Sequence, residues 1–114
     1  MGKDARYKRK LKEIISNLKI KEKVEFIENA NDKLLHKLYS VSDVFVLFSE
    51  WEGFGITVIE AMASGKPVIV SDRGALPTIV ENNVSGIIAK YPNIAKLKVK
   101  IKQLLSNRKK MEKM

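Results

Sequence analysis

Two glutamates, Glu52 and Glu60, enclose the seven residues GFGITVI. The stretch from Glu60 onward, EAMASGKPVIV, reads as a buried helix and then a buried strand, so acids at this place need a chemical reason. The spacing predicts that a loop turns into a helix near Ile56. The backbone N–H groups of Phe54, Gly55, Ile56 and Thr57 then lack intrahelical partners and form an anion-binding helix start. The helix dipole alone favours a phosphate there by roughly 0.3–1 kcal/mol. Gly53 and Gly55 let the chain turn sharply and approach a ligand closely. Glu52 would repel phosphate, but a carboxylate beside an anion site accepts hydrogen bonds from the adjacent hydroxyls of a neutral polyol. Glu60 lies among Ile59, Ala61 and Met62 and needs a partner, because an unpaired buried charge is costly. A ribose diol, a lysine or a backbone amide would serve. The plainer alternative makes Glu52 a loop charge and Glu60 a salt-bridged helix residue.

The elements that would hold these groups are read from periodicity. Tyr7, Leu11, Ile14, Ile15 and Leu18 mark one face of a first helix. Val24 and Phe26 alternate with charge and predict a strand at KVEFI. Asn31 or Asp32 can cap a helix whose face carries Leu34, Leu35, Leu38 and Tyr39. The unbroken apolar run Val44 to Phe48 predicts a central parallel strand covered on both sides. A short helix from Ile56 to Ser64 stops at Gly65 and Pro67. PVIVS is a buried strand, Pro77 opens a short helix through Glu81, NNVSG is a turn and GIIAK a further strand. Ile94, Leu97, Ile101, Leu104 and Leu105 line a last helix. Strands about twenty residues apart with helices between them are βαβ units, so the expected fold is α/β, a parallel Rossmann-like sheet with helices on both faces. Ligands of such sheets bind beyond the carboxyl ends of the strands, where the loops SEWEGFG and SDRGAL would meet.

The composition suits a single domain of 114 residues, expected over residues 1–106, with residues 107–114 a charged tail that frays. Its 45% apolar and 31% charged content is that of a globular chain. No apolar run approaches the ~20 residues of a membrane span. The absence of cysteine removes disulfide and thiol chemistry and fits a reducing, cytoplasmic setting. The net charge of +9 could draw nucleic acid, anionic lipid or phosphorylated small molecules. It sits mostly on the terminal helices, where KRKLKEIISNLKIKEK reads as a solvated helix face, so nucleic acid is not an expected partner. Peripheral contact with a membrane surface is retained as an expectation. His36, the single histidine, reads as a surface residue, and no metal site is evident. Asp72 reads as a turn cap or a ligand contact, and Trp51 as a stacking or packing residue.

The segment SEWEGFGITVIEAMASGKPVIVSDRGALPTIVENNVSGII resembles the donor-binding half of retaining glycosyltransferases of family four, which have the GT-B fold. The matching positions are Glu52, Gly53, Phe54, Gly55, Glu60, Ala61, Met62, Ala63, Gly65, Pro67 and Val68. The order of elements agrees from about Gly2 to Leu105. The resemblance implies that the chain is the C-terminal, nucleotide-sugar-binding part of a hexosyltransferase acting on a glycan or lipid acceptor. Glu52 would then contact donor-sugar hydroxyls and is the expected catalytic residue. The amides after Gly53, at Phe54, Gly55 and Ile56, would meet sugar hydroxyls or the diphosphate, with Thr57 near the phosphates. Glu60 would hold the ribose hydroxyls. A bound metal or other cofactor is not implied; the nucleotide sugar is the donor substrate.

The family often has a glycine pair and a glutamate after the next strand, where this chain reads Arg73, Gly74, Ala75, Leu76, Pro77 and Thr78. The Arg and Lys that neutralise the diphosphate in the family belong to a strand–helix unit that would precede Gly2, and the acceptor-binding domain would precede that. The expectation is therefore a domain entered partway, inactive by itself and completed in cis or in trans. A split-gene subunit that completes its pocket with a partner chain is the alternative. An exposed sheet edge beside Val24–Ile27 or Val44–Phe48 is expected to favour self-association.

Overall fold

The computed structural model describes residues 2–50 and 55–106. They divide into two compact units, Met1–Ala30 and Asn31–Met114.

The first unit holds helix α1 (Gly2–Asn17) and a 3-10 turn at Lys21–Lys23. Leu11 and Ile15 are half-buried, whereas Tyr7, Ile14 and Leu18 of the same apolar stripe stay exposed. The strand expected at KVEFI does not form. Val24 is extended, with φ −123° and ψ 128°, but residues 24–28 join no ladder. A lone extended segment has no hydrogen-bonding neighbour to make it a strand. Phe26 instead lies beneath two ammonium groups, Lys8 at 5.7 Å and Lys12 at 6.0 Å from the ring centre. Lys8 also pairs with Glu28 at 2.8 Å, which holds that exposed carboxyl below its usual range.

The second unit is an α/β layer structure. Its elements in order are α2 (Asp32–Val41), β1 (Phe45–Leu47), α3 (Ile56–Ala63), β2 (Val68–Ser71), α4 (Leu76–Ile79), β3 (Ile87–Ala89) and α5 (Ile94–Ser106). The three strands form one parallel sheet in the order β1-β2-β3. Phe45 pairs with Val68 and Leu47 with Val70; Ile69 pairs with Ile87 and Ser71 with Ala89. Alternate residues of a strand face opposite sides, and the core divides accordingly. Val68 and Val70 pack with Tyr39, Val58, Ala61, Leu76 and Val80, which brings α2, α3 and α4 to one face. Ile69, Ile87 and Ala89 pack with Leu104, which brings α5 to the other.

The central strand is β2, with all four residues buried, and not the Val44–Phe48 run. Among the described residues β1 is at the edge, and its Val46 is 40% exposed. The apolar run does reflect two packed sides, since Phe45 and Leu47 join one core cluster and Val44 and Phe48 the other. Packing on two sides does not say which strand stands in the middle.

Local chemistry sets the element ends. The Asn31 side chain accepts a hydrogen bond from the Leu34 amide at 2.8 Å and caps α2. At the end of α3 Gly65 takes φ +76°, donating to Met62 O at 3.0 Å while Lys66 N donates to Ala61 O at 3.1 Å. That is the paired-bond stop expected from a glycine after a helix.

Gly86, before β3, has a different reason to be glycine. A Cβ there would lie 2.6 Å from Val68 Cγ2, 2.8 Å from Val80 Cγ1 and 2.9 Å from the Val68 carbonyl oxygen. Gly86→Ala should therefore destabilise the fold by about 1–3 kcal/mol, since the central strand itself would have to shift. At Gly65 a Cβ meets nothing within 4 Å. Gly65→Ala should cost only the backbone strain, about 1 kcal/mol. Thermal melts of the two variants check the order; an equal or larger loss for Gly65→Ala contradicts this packing account.

Candidate functional site

Because the strands are parallel, their carboxyl ends share one sheet edge, and hydrogen bonds join the loops that leave it. Ser71, the last residue of β2, has no solvent exposure. Its hydroxyl donates to the Ser49 carbonyl at 2.6 Å and accepts from the Ser49 amide at 3.1 Å. One side chain thus bolts the end of β2 to the loop after β1. The loop after β2 is tied to the third strand in turn. Asp72 N donates to Ala89 O at 3.1 Å, and Asp72 Oδ1 accepts from the Tyr91 amide at 2.9 Å. Asp72 therefore ties the loop after β2 to the chain beyond β3. Arg73 donates to the Tyr91 carbonyl at 3.3 Å and stacks 5.6 Å from its ring, which lies 5.2 Å from Phe48.

From this braced edge the chain enters α3. Gly55 is buried and left-handed, φ +64° and ψ 36°, a backbone state that side chains with a Cβ avoid. Helix α3 starts immediately after it, and its N-cap residue, being glycine, offers no side-chain acceptor of its own. The amides of that turn have no partner inside the helix. Ile56 and Thr57 are exposed on it, as a ligand-facing helix start requires. Glu52, Gly53 and Phe54 lie outside the described residues, as does Trp51.

Glu60 is half-buried four residues after Ile56. Its partner is a hydroxyl, since Tyr39 of α2 donates to Oε2 at 3.2 Å. The sequence leaves the partner open among a diol, a lysine and an amide, and places Tyr39 only on the apolar face of α2. A signal is present there, because a tyrosine at a core position must find a partner for its O–H. Tyr39 is 5% exposed and meets Phe45 edge-on, with 5.9 Å between ring centres. Burial first, then the Glu60 charge and its hydrogen bond, push the Tyr39 hydroxyl above its ordinary value of 10.0. Ser71 likewise escapes sequence reasoning, since no spacing rule marks a hydroxyl that ties two loops, and Ser49 and Tyr91 answer such ties through their backbone groups.

His36 is exposed, and no group of three His, Asp or Glu residues could hold a metal ion among the described residues. No helix among them is long and apolar enough to cross a membrane.

Ser71→Ala should cost about 1–3 kcal/mol, because it strands both the N–H and the C=O of Ser49; chemical denaturation measures it, and a neutral result refutes the bridge. For Tyr39, a raised folded-state pKa means a stabilisation fully present below pH 10.0 and lost as the pH rises through the folded value. Alkaline absorbance titration should show one tyrosine ionising late, and that step should vanish in Tyr39→Phe.

The same arrangement recurs in known proteins. The family model for "Glycosyl transferases group 1" matches residues 1–114. An uncharacterized glycosyltransferase of Methanocaldococcus jannaschii is 43% identical over 77 residues, covering 68% of this chain and 20% of that protein. The sucrose-phosphate synthase structure from Thermosynechococcus elongatus superposes with a TM-score of 0.85 at 28% identity, over 92% of this chain and 26% of that one. The C-terminal domain of a group 1 glycosyl transferase from Francisella tularensis gives 0.84 at 27% identity, over 99% of this chain and 58% of that domain. The chain thus spans from about a seventh to about a quarter of the length of the curated relatives it matches. With the fold and the whole-chain match in agreement, the chain belongs to the group 1 glycosyl transferases and has the α/β architecture of GT-B enzymes.

Proposed function

We propose that this chain is the donor-binding part of a retaining family-four glycosyltransferase, which transfers a hexose from a nucleoside-diphosphate sugar to a glycan or lipid acceptor. The observation that carries the reading is a helix start directly after left-handed Gly55, joined in the same helix by a tethered carboxylate, Glu60. One group suits a diphosphate and the other a neutral diol, and a nucleotide sugar offers both. Glu60 is assigned to the ribose hydroxyls. The amides at Gly55 and Ile56 and the side chain of Thr57 are assigned to the diphosphate and the neighbouring sugar. Glu52 is assigned to the hydroxyls of the transferred sugar, with the Gly53–Phe54 amides beside it.

In the transfer, the bond from the anomeric carbon to the diphosphate oxygen breaks and its electron pair leaves with the diphosphate. The acceptor oxygen bonds to that carbon and passes its proton to an oxygen of the departing diphosphate. The contribution assigned to these residues is electrostatic: the start of α3 stabilises the charge that grows on the departing diphosphate. No metal or other cofactor is assigned a part. The complete transfer is proposed for a larger protein or assembly than these 114 residues, in keeping with the share of its relatives that the chain spans. A cytoplasmic setting fits a substrate of this kind.

Calorimetric titration of the chain with UDP, GDP and ADP tests the reading. At least one should bind, and Glu60→Gln should weaken it by about 10- to 100-fold, as expected when a charge-assisted hydrogen-bond acceptor is lost. Binding that is indifferent to Glu60→Gln would count against the assignment.

A further inference from the structure

We propose that Tyr39 is a positioning residue for diol recognition: its hydroxyl fixes the Glu60 carboxylate so that the acceptor sites left over suit the two adjacent hydroxyls of a ribose. The inference rests on the assignment of Glu60 to those hydroxyls and extends it to a residue on another helix.

The first ground is the chemical identity of the tether. Among the described residues the ion pairs are Lys8 with Glu28 and Arg73 with Asp72, and Glu60 is in neither. A cation would offset the carboxylate charge, and a guanidinium fork would occupy both oxygens. A phenol donates one proton and leaves the charge in place. An ionised carboxylate offers about four lone-pair sites, of which Tyr39 takes one on Oε2. Enough acceptor capacity remains for the two O–H donors of a vicinal diol. The retained charge also repels phosphate, which directs a diphosphate away from Glu60 and towards the start of α3.

The second ground is rigidity. The Tyr39 ring is 5% exposed, belongs to the core cluster of Val58, Ala61, Val68 and Val70, and is braced edge-on by Phe45 of β1. A donor seated in the core is a fixed point, whereas Glu60 itself is only half-buried and open to a ligand. Without the tether, a glutamate with three rotatable bonds would have to be ordered by the ligand at a cost in affinity. The raised pKa of the hydroxyl adds that the donor keeps its proton throughout the neutral and mildly alkaline range.

The test compares the whole chain, Tyr39→Phe and Glu60→Gln in calorimetric titrations with UDP, GDP and ADP and with their 2′-deoxy counterparts. Phenylalanine retains the ring and its contact with Phe45, and thermal melts verify that the variant is folded. The expected result is a ribose-over-deoxyribose preference in the unsubstituted chain. Tyr39→Phe should reduce that preference about 3- to 10-fold, mainly through weaker ribonucleotide binding, the size of one net hydrogen bond. Glu60→Gln should abolish it. If Glu60→Gln abolishes the preference and Tyr39→Phe leaves it intact, the proposal is wrong and the reading of Glu60 survives. If Tyr39→Phe weakens both sugar forms equally, Tyr39 is only a core residue and the proposal fails likewise. If Glu60→Gln leaves the preference unchanged, or if none of the nucleotides binds, the underlying reading falls and takes the role of Tyr39 with it.

Discussion

A hydroxyl shut away from water needs a hydrogen-bond partner inside the protein, and Ser71 finds both an acceptor and a donor on a single residue, Ser49. This double bond to one backbone unit is what makes the carboxyl edge of the sheet a fixed surface rather than a set of separate loop ends. It stands at the end of β2, the strand whose four residues are all buried, so it inherits the rigidity of the core. The loop after β1 leaves from this anchor, and α3 begins where that loop ends. Asp72 and Arg73 extend the tie to Tyr91 beyond β3. Each strand end is therefore held by its neighbour, and the groups assigned to a ligand hang from a braced rim.

The two faces of the sheet carry different duties. The side covered by α2, α3 and α4 delivers Glu60 and its tether, because Val68 and Val70 draw those helices together. The side covered by α5 contributes burial through Leu104 against Ile69, Ile87 and Ala89. Strands with alternating side chains thus couple the layer that holds Glu60 to the layer of α5. Stability removed from the α5 side would be felt on the Glu60 side through β2, through β3 and through the Val44–Phe48 run, each of which packs on both sides.

The order of helices and strands in the second unit is legible in the sequence because burial on two sides leaves a readable trace. Val68 to Ser71, the Gly65 stop, the Asn31 cap and the apolar face of α5 all come from local rules. Whatever depends on a neighbour distant in sequence is not legible in that way. Val24 and Phe26 have strand-like alternation, but alternation does not supply a partner strand, and the segment stays unpaired. The run Val44 to Phe48 looks central because both its sides pack, yet lateral order in a sheet is a property of pairing. In the site, the glycine and the acid of α3 are found from type and spacing. Tyr39 and Ser71 are not, because their roles rest on hydrogen bonds across 21 and 22 residues of chain.

The packing behind Gly55 has a consequence of another sort. Where a Cβ would stand there, Ile79 Cδ1 is 2.6 Å away and Leu76 Cδ2 is 3.3 Å away. Gly55, the residue from which α3 starts, is thus backed by two methyl groups of α4, a helix belonging to the loop after β2. The volume of the side chains at 76 and 79 acts as a shim, setting how far forward the helix start stands. Changes in that loop can shift the start of α3, and with it the surface proposed for the diphosphate, from behind.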